Sequence, residues 1–150
     1  MKPGRSTLLF QHPNRKIRRT PLRAFLNELT AKVTEGRPVT CLITTDAELQ
    51  RLNREFRHKD YATDVLSFPA GDGSGEFHEL GEMAISLDRA AAQAEELGHD
   101  TDAELRILML HGALHLAGLD HETDTGVMAR AERKWRKQLG LPAGLIERAG

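Results

Sequence analysis

Cysteine is nearly absent from this sequence. Cys41 stands alone among 150 residues, so no intramolecular disulfide can form, and a reducing cytoplasm is the expected setting. No apolar run reaches the length of a membrane span, and no signal-peptide pattern opens the chain, so neither membrane insertion nor secretion is expected. Internal repeats and low-complexity tracts are missing as well. What remains is 39% hydrophobic and 29% charged, the balance of a soluble globular protein. A chain of this length reads as one domain with a sizeable core.

The net charge of −1 conceals an uneven distribution. Residues 1–60 carry 13 Lys/Arg against 6 Asp/Glu, residues 61–128 carry 2 against 14, and residues 129–150 carry 6 against 2. Basic ends around an acidic middle fit a polyanion met by the ends, although solvated helix faces would look the same. If the partner is a polyanion, both basic segments should lie on the face of the functional site.

Periodicity divides the chain into strands and helices. The run from Thr7 to Gln11 is a short apolar strand, followed by a basic connector from His12 to Arg19. Thr20 and Pro21 read as a helix cap and first helical residue, with Leu22, Phe25, Leu26, Leu29 and Val33 at helical spacing and Gly36 closing the helix. Residues from Pro38 to Thr44 form the most β-branched strand. Thr45 and Glu48 make a capping-box pair before a helix with Leu49, Leu52 and Phe56 on its apolar side.

Val65 to Phe68, stopped by Pro69, is a third strand, and Glu82 to Ser86 a fourth. The glycine-rich stretch from Ala70 to Glu79 reads as a mobile loop. Ser86 opens an alanine-rich helix ending at Gly98, and Thr101 with Glu104 suggests a second capping box for the next helix, which runs to Ala117. Thr123 or Asp124 would cap a last helix with Val127, Met128, Ala131, Trp135 and Leu139 on one side. The expected fold is α+β: a single domain with a roughly four-stranded mixed sheet and about five helices.

One helix carries the chemistry. His111 and His115 are four residues apart, which stacks both imidazoles on one helical face. Gly118 suits a left-handed helix end, and such a turn can swing His121 back toward that face. Three imidazoles from a helix and its following turn fit a catalytic zinc, with the fourth position left to water. A single His in an apolar helix is commonly a core residue, but three at this spacing are not explained that way. No fourth His lies nearby, and Cys41 belongs to a distant strand, so the site should stay open. The spacing matches zinc proteases, H-E-x-x-H-x-x-G-x-x-H, yet Gly112 stands where their general base belongs. This counts against peptide hydrolysis but not against hydrolysis by zinc-activated water.

The block His111-Gly-x-Leu-His115-Leu-x-Gly-x-Asp120-His121 resembles the signature of the YbeY family of bacterial rRNA-maturation endoribonucleases. Arg57-x-x-Asp60-x-x-Thr63-Asp64-Val-Leu-Ser-Phe-Pro69 is similar to the family's stretch ahead of its third strand. Leu80 to Ser86 resembles its fourth, with Glu82 where Asp is more usual. The resemblance runs from about residue 38 to the end of the last helix, with only the layout matching before it.

It implies a metal-dependent, single-strand-specific endoribonuclease acting in maturation of 16S rRNA, especially its 3′ end, and in ribosome quality control. By the same resemblance one zinc ion is held by His111, His115 and His121, and Arg57 is functionally important. Its partners would be rRNA and small-subunit components, with no membrane and no DNA. A guanidinium suits the extra negative charge of a phosphorane-like state, so Arg57 is the candidate for phosphate binding and transition-state stabilisation. Asp120 could orient a ligand imidazole, serve as the missing base, or cap the following turn. Asp60 and Asp64 should organise the Arg57 loop through local hydrogen bonds. His58 reads as exposed, Trp135 as core, and His12, His78 and His99 receive no role. Two other readings remain: a ribosome-assembly factor with structural zinc, and a zinc hydrolase of another substrate.

Overall fold

Three parallel strands and one antiparallel edge strand make the sheet of this computed structural model, which describes residues 5–14, 16–59, 63–70, 79–119 and 126–142. The elements in chain order are β1 (Thr7–Phe10), α1 (Arg19–Lys32), β2 (Val39–Thr44), α2 (Asp46–Arg57), β3 (Val65–Pro69), β4 (Gly81–Ser86), α3 (Leu87–Leu97), α4 (Thr101–Leu116) and α5 (Val127–Leu139). Spatially the strands run β1-β2-β4-β3, with β3 antiparallel to β4. The α+β expectation of four strands and five helices holds among the described residues. None of their helices is long and apolar enough to cross a membrane.

Strand alternation divides the core into two unequal parts. Register places Cys41 beside Met83 and Ile43 beside Ile85, with Leu8 on the same face. This face is buried under Leu22, Phe25, Leu26 and Leu29 of α1, Leu87 and Ala90 of α3, and most of α4. The opposite face, carrying Leu42, Ala84 and Leu66, is covered by α2 through Leu49 and Leu52. Beyond α2 it opens into a groove of about 390 Å³ lined by Leu9, Phe56, Phe68 and Glu82 among others.

α4, which carries His111 and His115, is the hub of the larger core. α4 lies on the sheet and also packs against α1, α3 and α5. Residues Ile107 to Leu114 are all buried, as the continuous apolar run demands of a helix with no polar side. Its close seat on the sheet depends on glycine. A Cβ at Gly112 would lie 2.9 Å from the Met83 sulfur, and one at Gly81 would lie 2.6 Å from a Leu116 methyl. α4 therefore runs across β4 toward its Gly81 end.

Caps account for most departures from the sequence reading. Thr45 and Ser86 cap α2 and α3 as expected, accepting from the amides of Glu48 and Arg89. α1, however, begins at Arg19 with no side-chain cap, leaving Pro21 third in the helix. Proline is tolerated there because first-turn amides have no intrahelical partner. α4 is capped by Asp100, whose carboxylate accepts from the Ala103 amide, and not by a Thr101–Glu104 box. Glu104 is instead buried against His99, 2.7 Å from its Nε2. α5 starts after Gly126 at φ +93°, and the expected caps Thr123 and Asp124 lie outside the described residues, as does most of the 70–79 loop.

Candidate metal centre

Helical spacing delivers the two central histidines as the sequence requires. The His111 and His115 rings are 4.8 Å apart between centroids and inclined at 70°. His111 is only 7% exposed, while His115, one turn nearer the helix end, is half-buried. The helix then closes in the expected left-handed turn. Gly118 has φ +101°, its amide bonds the His115 carbonyl at 3.0 Å, and the Leu119 amide bonds the Leu114 carbonyl at 3.1 Å. His121 and Asp120 follow this turn and lie outside the described residues. Among the described residues no group of three His, Cys, Asp or Glu side chains is placed to hold a metal.

Behind His111 stands a carboxylate that sequence reasoning missed. Glu132 of α5 is 1% exposed, and its Oε2 lies 2.8 Å from His111 Nδ1. A carboxylate accepts, so the ring hydrogen belongs on Nδ1 and the Nε2 lone pair is the one suited to a metal. The orienting role considered for Asp120 is thus matched, for His111, by a residue 21 positions away. A signal was present: an acid four residues after buried Met128 interrupts the inward side of an otherwise basic helix.

These residues fit a metal of the imidazole-binding class. Two neighbouring imidazoles, one backed by a buried carboxylate, are a donor set for zinc and its first-row neighbours. Cys41 takes no part. It is fully buried in β2, and burial pushes its thiol up to about 12. The Gly112 position points at Met83 in the sheet, so even a glutamate there would face away from the histidine pair.

Arg57 approaches the same end of the sheet from the other face. It is the last residue of α2, exposed and without an ion pair among the described residues. His58 then takes a left-handed conformation (φ +58°), and the Lys59 amide bonds the Asn53 carbonyl, so the chain reverses directly after the arginine. Phe56 packs edge-on against Phe68 with centroids 5.8 Å apart. Because Phe68 pairs with Glu82 beside Gly81, the end of α2 and the end of α4 flank edge strand β3 at one level.

The remaining polar candidates are distributed differently from expectation. Asp64 reaches out of its loop to Gln93 of α3 at 3.3 Å, because the turn before β3 faces that helix; Asp60 and His78 lie outside the described residues. His12 bonds Asp88 at 2.8 Å, which anchors the basic connector at the Ser86 end of the sheet. The connector is therefore at the opposite end from His115, contrary to the expectation that both basic segments share the site. Of the two basic segments, α5 is the one that runs beside α4 among the described residues. Trp135 is partly buried against the core with Lys134 4.8 Å from its ring centre.

The chain is similar to known proteins over most of its length. The family model described as Endoribonuclease YbeY matches residues 10–140, reaching further toward the N-terminus than the motifs do. A protein of Solibacter usitatus named Endoribonuclease YbeY is 56% identical over 146 residues, covering 97% of this chain and 96% of its own. One of the same name from Nautilia profundicola is 47% identical over 82% of this chain and 86% of its own. The solution structure of TM1509 from Thermotoga maritima superposes with a TM-score of 0.59 at 25% identity, covering 89% of each chain.

Proposed function

Since the chain belongs to the Endoribonuclease YbeY family, we propose that it is a zinc-dependent, single-strand-specific endoribonuclease of 16S rRNA 3′-end maturation and ribosome quality control. What supports the reading is that the His111–His115 pair and Arg57, exposed and without an ion pair among the described residues, stand toward one end of the sheet on its two faces. One zinc ion would be held by His111, His115 and His121. When bound, zinc supplies Lewis acidity toward a phosphoryl oxygen and makes water deprotonation feasible near neutral pH.

The chain's own groups do the rest. Arg57 offers two parallel N–H donors to a phosphate, which fixes the backbone of a single strand and stabilises the added charge of the transition state. The turn at His58 holds that guanidinium at the helix end. Glu132 keeps the His111 ring in one orientation. Gly112 leaves no glutamate in the position of a protease base, which favours phosphodiester over peptide substrates. Basic α5 lies alongside α4 and offers a path for the RNA backbone.

The test is cleavage of a single-stranded rRNA fragment by zinc-loaded wild type, Arg57→Ala and His115→Ala, purified identically and checked for folding by circular dichroism. Wild type should cut, Arg57→Ala should be slower by about a hundred- to a thousandfold, and His115→Ala should be inactive. Equal cutting by all three identifies a contaminant. In that case the reading passes to a zinc-stabilised assembly factor that binds the small subunit without essential catalysis.

A further inference from the structure

The bond between α4 and α5 joins two parts of the site that are separate in sequence. α5 is basic over most of its surface and buries only Met128 and Glu132 among its described side chains. Met128 enters the core apolar cluster, while Glu132 ends on His111 Nδ1. In sequence His121 lies between the Gly118 turn that ends α4 and Gly126 that opens α5. A buried carboxylate is costly unless its partner is held against it, so the His111 contact does two things. It selects the ring nitrogen presented to a metal, and it ties α5 to α4.

We propose that Glu132 is the positioning residue of the metal centre, coupling metal binding to the docking of α5 on α4. The inference rests on the three-histidine metal reading above. A carboxylate behind a ligand imidazole raises its basicity and holds its plane, and losing such a partner weakens metal binding by about ten- to a hundredfold. The coupling is reciprocal: a metal on His111 strengthens the Nδ1–H bond to Glu132 and thereby tightens α5. A residue that merely packed α5 would change stability but leave metal affinity where it was.

The experiment measures zinc affinity of the folded full-length protein by competition with a chromophoric chelator, for wild type, Glu132→Gln and Glu132→Ala. Amide hydrogen exchange across α5 is followed with and without zinc. Glu132→Ala should bind zinc about ten- to a hundredfold more weakly. Glu132→Gln keeps the shape and an acceptor oxygen but not the charge, and should fall between the two. Zinc should slow exchange in Val127–Leu139 of wild type and not of Glu132→Ala. Unchanged affinity in both variants, with α5 still responding to zinc, overturns the inference while leaving the metal reading intact. Should Glu132→Ala fail to fold, Glu132→Gln decides: affinity equal to wild type overturns the inference, and weaker affinity supports it. A wild type that binds no zinc removes the metal reading and this inference with it.

Discussion

A methyl group at Gly112 would stand 2.9 Å from the Met83 sulfur, and one at Gly81 would stand 2.6 Å from both a Leu116 methyl and the Phe68 carbonyl oxygen. The two clashes differ in kind, because a thioether can swing aside and a ladder carbonyl cannot. Gly112→Ala sets a helix-propensity gain of up to about 1 kcal/mol against overpacking of about 1–3 kcal/mol, so a net loss of about 1 kcal/mol is expected. Gly81→Ala should lose about 3 kcal/mol. Urea titrations check the order, which reverses if Met83 has less room to move than the thioether suggests. Gly112→Glu would drive a carboxylate into the sheet, and should cost more than about 3 kcal/mol without creating a peptidase. At Cys41, burial pushes the thiol up to about 12, which leaves almost no thiolate at neutral pH. A thiol reagent should therefore label the protein only as it unfolds, and fast labelling without urea would show that β2 opens locally.

Elements were legible in the sequence where their signals are local. The helical pairing of His111 with His115, the Gly118 turn and the Thr45 and Ser86 caps each involve residues within a few positions, and all four are in the structure. What was not legible depends on tertiary packing. Thr101 and Asp100 are both good caps side by side, and Asp100 takes the position while Glu104 turns to His99. Glu132 has no assignment from the sequence because its partner lies 21 positions away on another helix. Asp88 is a further case. Its carboxylate accepts from the Asp46 amide that starts α2 and bonds His12 of the connector, and these hold its carboxyl below the usual range, the amide contributing most. A depressed folded value means that the stabilisation is fully present above the unfolded carboxyl value and is lost as pH falls through the folded one. Asp88→Asn should lower stability at neutral pH, with the difference from wild type vanishing in strong acid. Half-exposure limits the effect to under about 1 kcal/mol. Denaturation midpoints measured from acid to neutral pH should converge at the acid end, and a constant gap would remove the ionic contribution.

Across the whole molecule, the fold gives the two basic segments different positions, which the charge count alone could not do. The N-terminal connector is fastened at the Ser86 end of the sheet through His12 and Asp88, while α5 lies against the helix that carries His111 and His115. A single strand whose phosphate reaches Arg57 and the histidine pair can follow α5 but would have to cross the length of the sheet to reach the connector. Phosphate contacts make binding salt-dependent, with the slope of log K against log salt falling by about one for each contact removed. Reversing Lys134 and Lys137, both exposed on α5, should therefore weaken binding of a cleavage-resistant RNA oligonucleotide at low salt and flatten that slope by about two. The same reversal at Lys16 and Arg18 should change neither quantity appreciably, although net charge shifts by the same amount. Fluorescence anisotropy over about 50 to 200 mM salt makes the comparison directly. Equal losses in both pairs would mean that net charge and not placement governs binding, and a larger loss at the connector would put the RNA path over the opposite end of the sheet.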